Sequence, residues 1–151
     1  MLKEGSPAPD FSLPDISDKF VSLKDFSGKK VILYFYPKDG TAGCKKEGFS
    51  FRDAYDELTA ENAVVIGIGK DSVKSHKAFA EKNGFQFILL SDPELGAIKA
   101  YDVWQEKKMA GRTYMGVVRT TYVIGEKGVI EKVFTKVKTD THGSDVLEYL
   151  R

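Results

Sequence analysis

The chain contains only one cysteine, Cys44, and two histidines among its 151 residues. One cysteine excludes an internal disulfide framework. The absence of such a framework is typical of proteins from a reducing compartment, so we expect a cytoplasmic protein. A metal site would have to rely on carboxylates and those two histidines, and we expect neither a metal nor a cofactor.

The sequence also lacks an excess of charge of either sign. It has 23 basic and 22 acidic residues and a formal net charge of +1, so no general field favours a polyanion, and nucleic acid is not an expected partner. No apolar run approaches the roughly 18 residues of a membrane span. The first residues, MLKEGSPAPDF, are too polar for a signal peptide. We therefore expect no membrane association.

Apolar runs alternate with amphipathic segments along the chain, which predicts strands and helices in turn. Strands are predicted at 31–36, 64–68, 87–90, 120–124 and 129–137, with a short N-terminal hairpin at 11–13 and 20–23. Helices are predicted after Thr41, after Asp71 or Ser72, near Pro93 and at 145–150.

The segment 102–118 lacks clear periodicity and is interpreted as a functional loop. Parallel strands come first in this order and an antiparallel hairpin comes last. The sequence therefore predicts an α/β thioredoxin-like fold, with a central mixed sheet flanked by helices, as one domain over residues 1–151.

The cysteine lies in the stretch YPKDGTAGCKKE, between a strand and a helix. Reactive sites of open α/β sheets gather at the carboxyl ends of strands. Thr41 is a candidate N-cap of the helix, and a helix start with nearby lysines favours a thiolate. Gly40 and Gly43 allow the backbone to approach a ligand closely. Position alone leaves three alternatives for Cys44: a buried apolar filler, half of an intermolecular bridge, or a nucleophile.

The spacing Pro37-x-x-x-Thr41-x-x-Cys44 resembles the active-site signature of the peroxiredoxins. The longer stretch YFYPKDGTAGCKKE is similar to their bacterioferritin comigratory protein, or peroxiredoxin Q, subgroup. The likeness extends over nearly the whole chain, from GSPAPDF near the start, through Arg119 directly before TTYVI, to Val137, Lys138 and His142.

This resemblance implies a thiol peroxidase that reduces hydrogen peroxide and organic hydroperoxides. It implies that the Cys44 thiolate attacks a peroxide oxygen and becomes a sulfenic acid. Arg119 would stabilise the thiolate and the developing oxyanion. The Thr41 hydroxyl would contact the peroxide.

The resemblance also implies supporting roles for residues around the cysteine. The backbone N–H groups of Gly43 and Cys44 would bind substrate oxygen. Pro37 would shield the thiolate from water, and Glu47 would orient Arg119 through a charge-assisted hydrogen bond.

Each of these residues also has an ordinary structural interpretation. Pro37 could end a strand, Thr41 could be a helix cap only, Arg119 could be a solvated charge, and Glu47 could be an exposed helix residue. His76 and His142 lack metal-like spacing and are interpreted as structural or surface residues. Trp104 and Met109 could line a pocket or pack in the core.

One feature departs from the subgroup. Phe49 stands where many members carry a resolving cysteine, and the following helix has none. The resemblance therefore implies a one-cysteine variant, a monomer or weak homodimer. The sulfenic acid on Cys44 would be resolved by an external thiol, from thioredoxin, a glutaredoxin or a small thiol.

Three other functions compete with this one. Thioredoxin-type disulfide exchange is disfavoured because there is no Cys-x-x-Cys. An idle redox-sensing or chaperone-like protein and a dimer bridged by Cys44 remain as alternatives.

Overall fold

The computed structural model describes residues 1–151 and contains nine strands and four α-helices. The strands are β1 (Ser12–Pro14), β2 (Phe20–Ser22), β3 (Lys30–Phe35), β4 (Ala63–Gly69), β5 (Ile88–Ser91), β6 (Trp104–Met109), β7 (Arg112–Val117), β8 (Thr120–Ile124) and β9 (Ile130–Phe134). The helices are α1 (Ala42–Ala60), α2 (Val73–Asn83), α3 (Gly96–Ala100) and α4 (His142–Leu150), with a 3-10 helix at Leu23–Phe26. None of these helices combines the length and the apolar character that a membrane span requires.

Five strands form the central sheet, in the spatial order β5-β4-β3-β8-β9. Strand β3 runs parallel to β4, which runs parallel to β5, whereas β8 is antiparallel to both β3 and β9. The predicted mixed sheet and the predicted N-terminal hairpin, β1–β2, are both confirmed.

The central position of β3 explains its unbroken apolar sequence. Val31, Leu33 and Phe35 belong to one buried cluster, and the alternate residues Ile32 and Tyr34 belong to another. Successive side chains of a strand point to opposite faces, so a strand covered on both faces must be apolar throughout. Burying each of these large side chains contributes about 1.5–3 kcal/mol.

The prediction of a loop at 102–118 is wrong for most of that segment, because β6 and β7 form an antiparallel hairpin there. Its turn is Ala110-Gly111, both at positive φ, as a tight hairpin turn requires. Most of its side chains are exposed or only partly buried. The hairpin therefore carries no apolar face that would have produced a strand pattern.

Three boundaries differ from prediction by about three residues. Helix α3 begins at Gly96 rather than near Pro93, since the Asp92 carboxylate accepts the N–H groups of Gly96 and Ile98. Helix α4 begins at His142, three residues early, and β9 ends at Phe134.

Candidate active site

Cys44 lies in the first turn of α1, just beyond the carboxyl end of β3, and is 2% exposed. Antiparallel pairing places Thr120 opposite Phe35, so Arg119 reaches the same end of the sheet. Its Nη2 lies 3.5 Å from the Cys44 sulfur. A distant segment of the chain thus brings a permanent cation to the cysteine.

Glu47 lies one helical turn after Cys44 and is fully buried. Its Oε1 accepts a hydrogen bond of 2.6 Å from Arg119 Nη1. Burial raises the pKa of Glu47 to about 7, and the Arg119 charge opposes that rise. One guanidinium therefore bridges the sulfur and the carboxylate, with a separate nitrogen for each.

Gly43 allows the guanidinium to lie against the start of α1. A Cβ at this position would be 3.1 Å from Arg119 Nη2 and 4.0 Å from a methyl group of Thr139. Contacts near 3.1 Å are tighter than side chains normally tolerate, so any larger residue would push against Arg119.

Thr41 occupies the N-cap position of α1 with an extended backbone, but its hydroxyl makes no capping hydrogen bond. The predicted side-chain cap is therefore wrong. The hydroxyl donates to the Lys38 carbonyl instead, at 3.0 Å. The first-turn N–H groups, those of Gly43 and Cys44 among them, donate no hydrogen bond to the Thr41 side chain.

Pro37 lies half-buried in the loop between β3 and α1. Its carbonyl accepts a hydrogen bond from Lys70 Nζ at 3.3 Å. The structure thus groups Cys44, Arg119, Glu47 and Gly43 by direct contact. It places Pro37 and Thr41 in the adjoining loop.

An ion pair that the sequence did not predict anchors this loop. Asp39 Oδ2 is 2.6 Å from His76 Nδ1, and Asp39 Oδ1 accepts from the Tyr36 hydroxyl at 2.7 Å. His76 Nε2 faces the Leu90 carbonyl at 3.0 Å. Both ring nitrogens therefore face oxygen atoms of neighbouring groups. Burial raises the pKa of Asp39, but the bonds from His76, Tyr36 and Ser75 outweigh it and lower that pKa.

Asp39 and His76, with Asp71, also form the group of side chains best arranged to hold a cation, since their donor atoms lie within 4.8 Å of one another. Asp71 Oδ2 already accepts the Asp39 N–H at 2.7 Å. Hydrogen bonding and the ion pair thus account for the cluster.

A second buried group, also unforeseen, lies behind Glu47. His142 Nε2 is 4.0 Å from Glu47 Oε2 and 2.8 Å from Thr121 Oγ1. Burial lowers the pKa of His142 to about 4, so the imidazole is neutral. Glu47 Oε2 is buried without a hydrogen-bond partner. Both histidines are buried residues, and no local sequence pattern marks His142 as a neighbour of Glu47.

The remaining candidates fall outside the contact group. Trp104 is half-buried against the core, and Met109 is 66% exposed at the hairpin tip. Phe49 packs edge-on against Phe85, with the Arg52 guanidinium 4.5 Å from its ring centre. An aromatic contact thus occupies the position where the subgroup often has its second sulfur.

A thioredoxin-like sheet that holds a buried cysteine at a helix start, against an arginine–glutamate pair, defines a cysteine-dependent redox enzyme. Residues 5–133 match the AhpC/TSA family. The chain is 47% identical over 146 residues to a putative peroxiredoxin bcp of Coxiella burnetii, covering 97% of both chains. It is 42% identical over 150 residues to peroxiredoxin Bcp of Escherichia coli, covering 99% of this chain and 96% of that one.

Solved structures agree. The Xanthomonas campestris bacterioferritin comigratory protein, described in a study of alkyl peroxide reduction, superposes with a TM-score of 0.91 at 34% identity, covering 98% of this chain and 97% of that chain. A cysteine-to-serine mutant of Xylella fastidiosa PrxQ gives 0.93 at 34%, covering 99% and 96%. The chain belongs to the AhpC/TSA family, in its Bcp/PrxQ group of peroxiredoxins. It is a thiol peroxidase with a single cysteine, and the predicted family is confirmed.

Proposed function

We propose that Cys44 is the peroxidatic nucleophile, acting on hydrogen peroxide and organic hydroperoxides. The thiolate attacks the nearer peroxide oxygen in line with the O–O bond. A sulfur–oxygen bond forms as the O–O bond breaks, which leaves a sulfenic acid on Cys44. The departing oxygen leaves as hydroxide or alkoxide and takes up a proton from solvent, giving water or an alcohol. Arg119, 3.5 Å from the sulfur, stabilises the thiolate and the charge that develops on the departing oxygen.

Neighbouring groups position the substrate in this proposal. The N–H groups of Gly43 and Cys44 point from the helix start and bind peroxide oxygen. The Thr41 hydroxyl donates its hydrogen bond to the Lys38 carbonyl, so the lone pairs of its oxygen can accept a hydrogen bond from the peroxide O–H. Pro37 shields the sulfur from water.

Glu47 acts through Arg119 in this proposal. Its 2.6 Å hydrogen bond fixes one edge of the guanidinium, so the other edge is aimed at the sulfur. It is therefore a positioning residue.

We infer that an external thiol returns Cys44 to the thiolate, because the chain has no second cysteine. Thioredoxin, a glutaredoxin and a small thiol are the candidate reductants. The free cysteine favours a cytoplasmic setting. The whole chain, 1–151, would act as one domain and as a monomer or weak homodimer. Burial of Cys44 at 2% exposure disfavours a bridge between two copies.

The single observation that supports this proposal best is the guanidinium shared between Cys44 and Glu47. Thiol-dependent hydroperoxide turnover tests it in the wild type and in Cys44→Ser, with circular dichroism as the folding control. We expect complete loss of turnover in a folded variant. Turnover that survives in Cys44→Ser would refute the proposal, as would an inactive wild type, which is the result that an idle binding protein would give.

A further inference from the structure

Three cations surround the site although the whole chain is almost neutral. Arg119, Lys70 and Lys107 come from three separate segments, yet they are close enough to influence one another. Burial lowers the pKa of Lys107, the charges of Arg119 and Lys70 lower it further, and Cys44 raises it. We call these three side chains the cation cluster.

The two lysines are held in place by backbone carbonyl groups. Lys107 Nζ donates to the Val117 carbonyl at 2.9 Å, and Lys70 Nζ donates to the Pro37 carbonyl at 3.3 Å. The Lys107 stem crosses the hairpin over Gly116, where a Cβ would lie 2.9 Å from Lys107 Cδ. These ammonium groups are therefore fixed beside the site, and each keeps donors free for a ligand.

The acidic groups nearby do not cancel the cluster. Glu47 already pairs with Arg119, and Asp39 already pairs with His76. Asp71 bonds to the backbone N–H of Asp39. Lys70 and Lys107 form no salt bridge. The region around Lys70, Lys107 and Arg119 therefore keeps a positive potential that attracts a small anion.

The charge at the sulfur changes during turnover, and this decides which reactant benefits. Before peroxide arrives, the Cys44 thiolate offsets one of the cations. After oxidation the sulfenic acid is neutral, so the site is one charge more positive. An anionic ligand is therefore favoured most when the reductant must bind, and least when the peroxide must bind.

Access limits the size of that reductant. The Cys44 sulfur is almost fully buried, and the Arg119 side chain above it is only 21% exposed. A sulfur this far below the surface is more accessible to a small thiol than to a cysteine on a folded protein partner.

We propose that the cation cluster selects a small thiol bearing carboxylate groups as the reductant of oxidised Cys44. This inference rests on the proposed function. The incoming thiolate forms an S–S bond to Cys44 as the S–O bond breaks, and the departing hydroxide takes up the proton that the thiol has lost, giving water. A second thiolate attacks the outer sulfur, which releases the Cys44 thiolate and a small-molecule disulfide.

The test separates the two half-reactions. Cys44 is oxidised with one equivalent of hydrogen peroxide, sulfenic acid is verified by dimedone trapping, and the protein is mixed with 3-mercaptopropionate, 2-mercaptoethanol or cysteamine. Rates are expressed per thiolate, since these thiols differ in acidity. We expect the anionic thiol to react about tenfold faster than the cationic one at low salt, with the ratio collapsing at high salt.

The variants Lys107→Met and Lys70→Met should each reduce that ratio about threefold, as expected for loss of one nearby charge. Lys24→Met, at an exposed site on the 3-10 helix, is the matched control and should leave it unchanged. Using the ratio within one variant cancels any change in the reactivity of Cys44 itself.

A parallel series of neutral and carboxylate-bearing hydroperoxides identifies the partner that the cluster serves. An equal or greater anion preference in the peroxide step would overturn the assignment to the reductant. Equal thiol rates, or a ratio insensitive to salt and to both lysine variants, would overturn this inference alone. Failure to form sulfenic acid would overturn the proposed function and this inference together.

Discussion

Replacing Glu47 by Gln should change how the stability of the protein depends on pH. The carboxylate is fully buried, its Oε2 has no hydrogen-bond partner, and its pKa rises from 4.5 to about 7 through burial, against the opposing charge of Arg119. Gln has the same shape and can still accept from Arg119, but it does not ionise. The substitution therefore removes the titration while keeping the packing.

The size of the effect follows from linkage between protonation and folding. Between pH 4.5 and 7 the folded protein holds a proton on Glu47 that the unfolded chain has lost, so stability falls as the pH rises through this range. One pKa unit corresponds to about 1.4 kcal/mol, so the free energy of unfolding should lose about 3 kcal/mol from this residue.

His142 works in the opposite direction. Its pKa falls from 6.5 to about 4, so the unfolded chain binds a proton that the folded protein does not, and stability falls as the pH drops. The two contributions are similar in size and nearly cancel in the wild type between about pH 4.5 and 6.5. Glu47→Gln should expose the His142 contribution alone.

Urea unfolding under reducing conditions, at intervals from about pH 4.5 to 8, measures this. Relative to the wild type, Glu47→Gln should gain about 3 kcal/mol across that range. Glu57→Gln is the control, because Glu57 is 56% exposed and pairs only with Arg151 at the surface. Parallel curves for wild type and Glu47→Gln would refute the assignment of a raised pKa to this carboxylate.

Two further substitutions test the geometry of the site. Gly43→Ala places a methyl group 3.1 Å from Arg119 Nη2 and should slow the peroxide step about tenfold by displacing the guanidinium. Ala42→Gly is the control and should have little effect. A wild-type rate for Gly43→Ala in stopped-flow measurements would contradict the contact. Asp39→Asn removes the carboxylate that pairs with buried His76 and accepts from the Tyr36 and Ser75 hydroxyl groups, and should lower the free energy of unfolding by about 2–3 kcal/mol. Asp53→Asn, at an exposed surface pair, is its control, and equal urea midpoints for the two variants would argue against a buried ion pair.

Local patterns were sufficient to predict the sheet and the place of the cysteine. The uninterrupted apolar run at 31–36 indicated a central strand, and YPKDGTAGCKKE indicated a helix start after it. These features depend on neighbouring residues, which a sequence displays directly. The β6–β7 hairpin was missed because its exposed strands need no apolar alternation.

The partners of Cys44 could not be derived in the same way. Arg119 meets the cysteine only because β8 pairs with β3 in a register that places Thr120 opposite Phe35. That pairing joins segments far apart in the chain, and only the family resemblance singled out Arg119. His142 lies behind Glu47 because α4 packs against α1, and no local sequence pattern predicts this proximity.

The docking of α4 depends on one small residue. A Cβ at Gly143 would clash with the Ser50 carbonyl oxygen of α1, so only glycine permits this approach. The Gly143 N–H also donates to the Ser50 hydroxyl at 3.0 Å. Such a requirement becomes visible only once the two helices are known to touch.

The central claim is that Cys44 attacks the peroxide with the help of Arg119. Rapid-quench mass spectrometry with one equivalent of hydrogen peroxide tests it most directly, in the wild type and in Arg119→Met. We expect one dimedone-reactive oxygen on Cys44 for each peroxide consumed, formed about 100-fold more slowly in the variant, as for loss of a key oxyanion donor. Peroxide loss with Cys44 left as the unmodified thiol, or equal rates in the two proteins, would contradict the account.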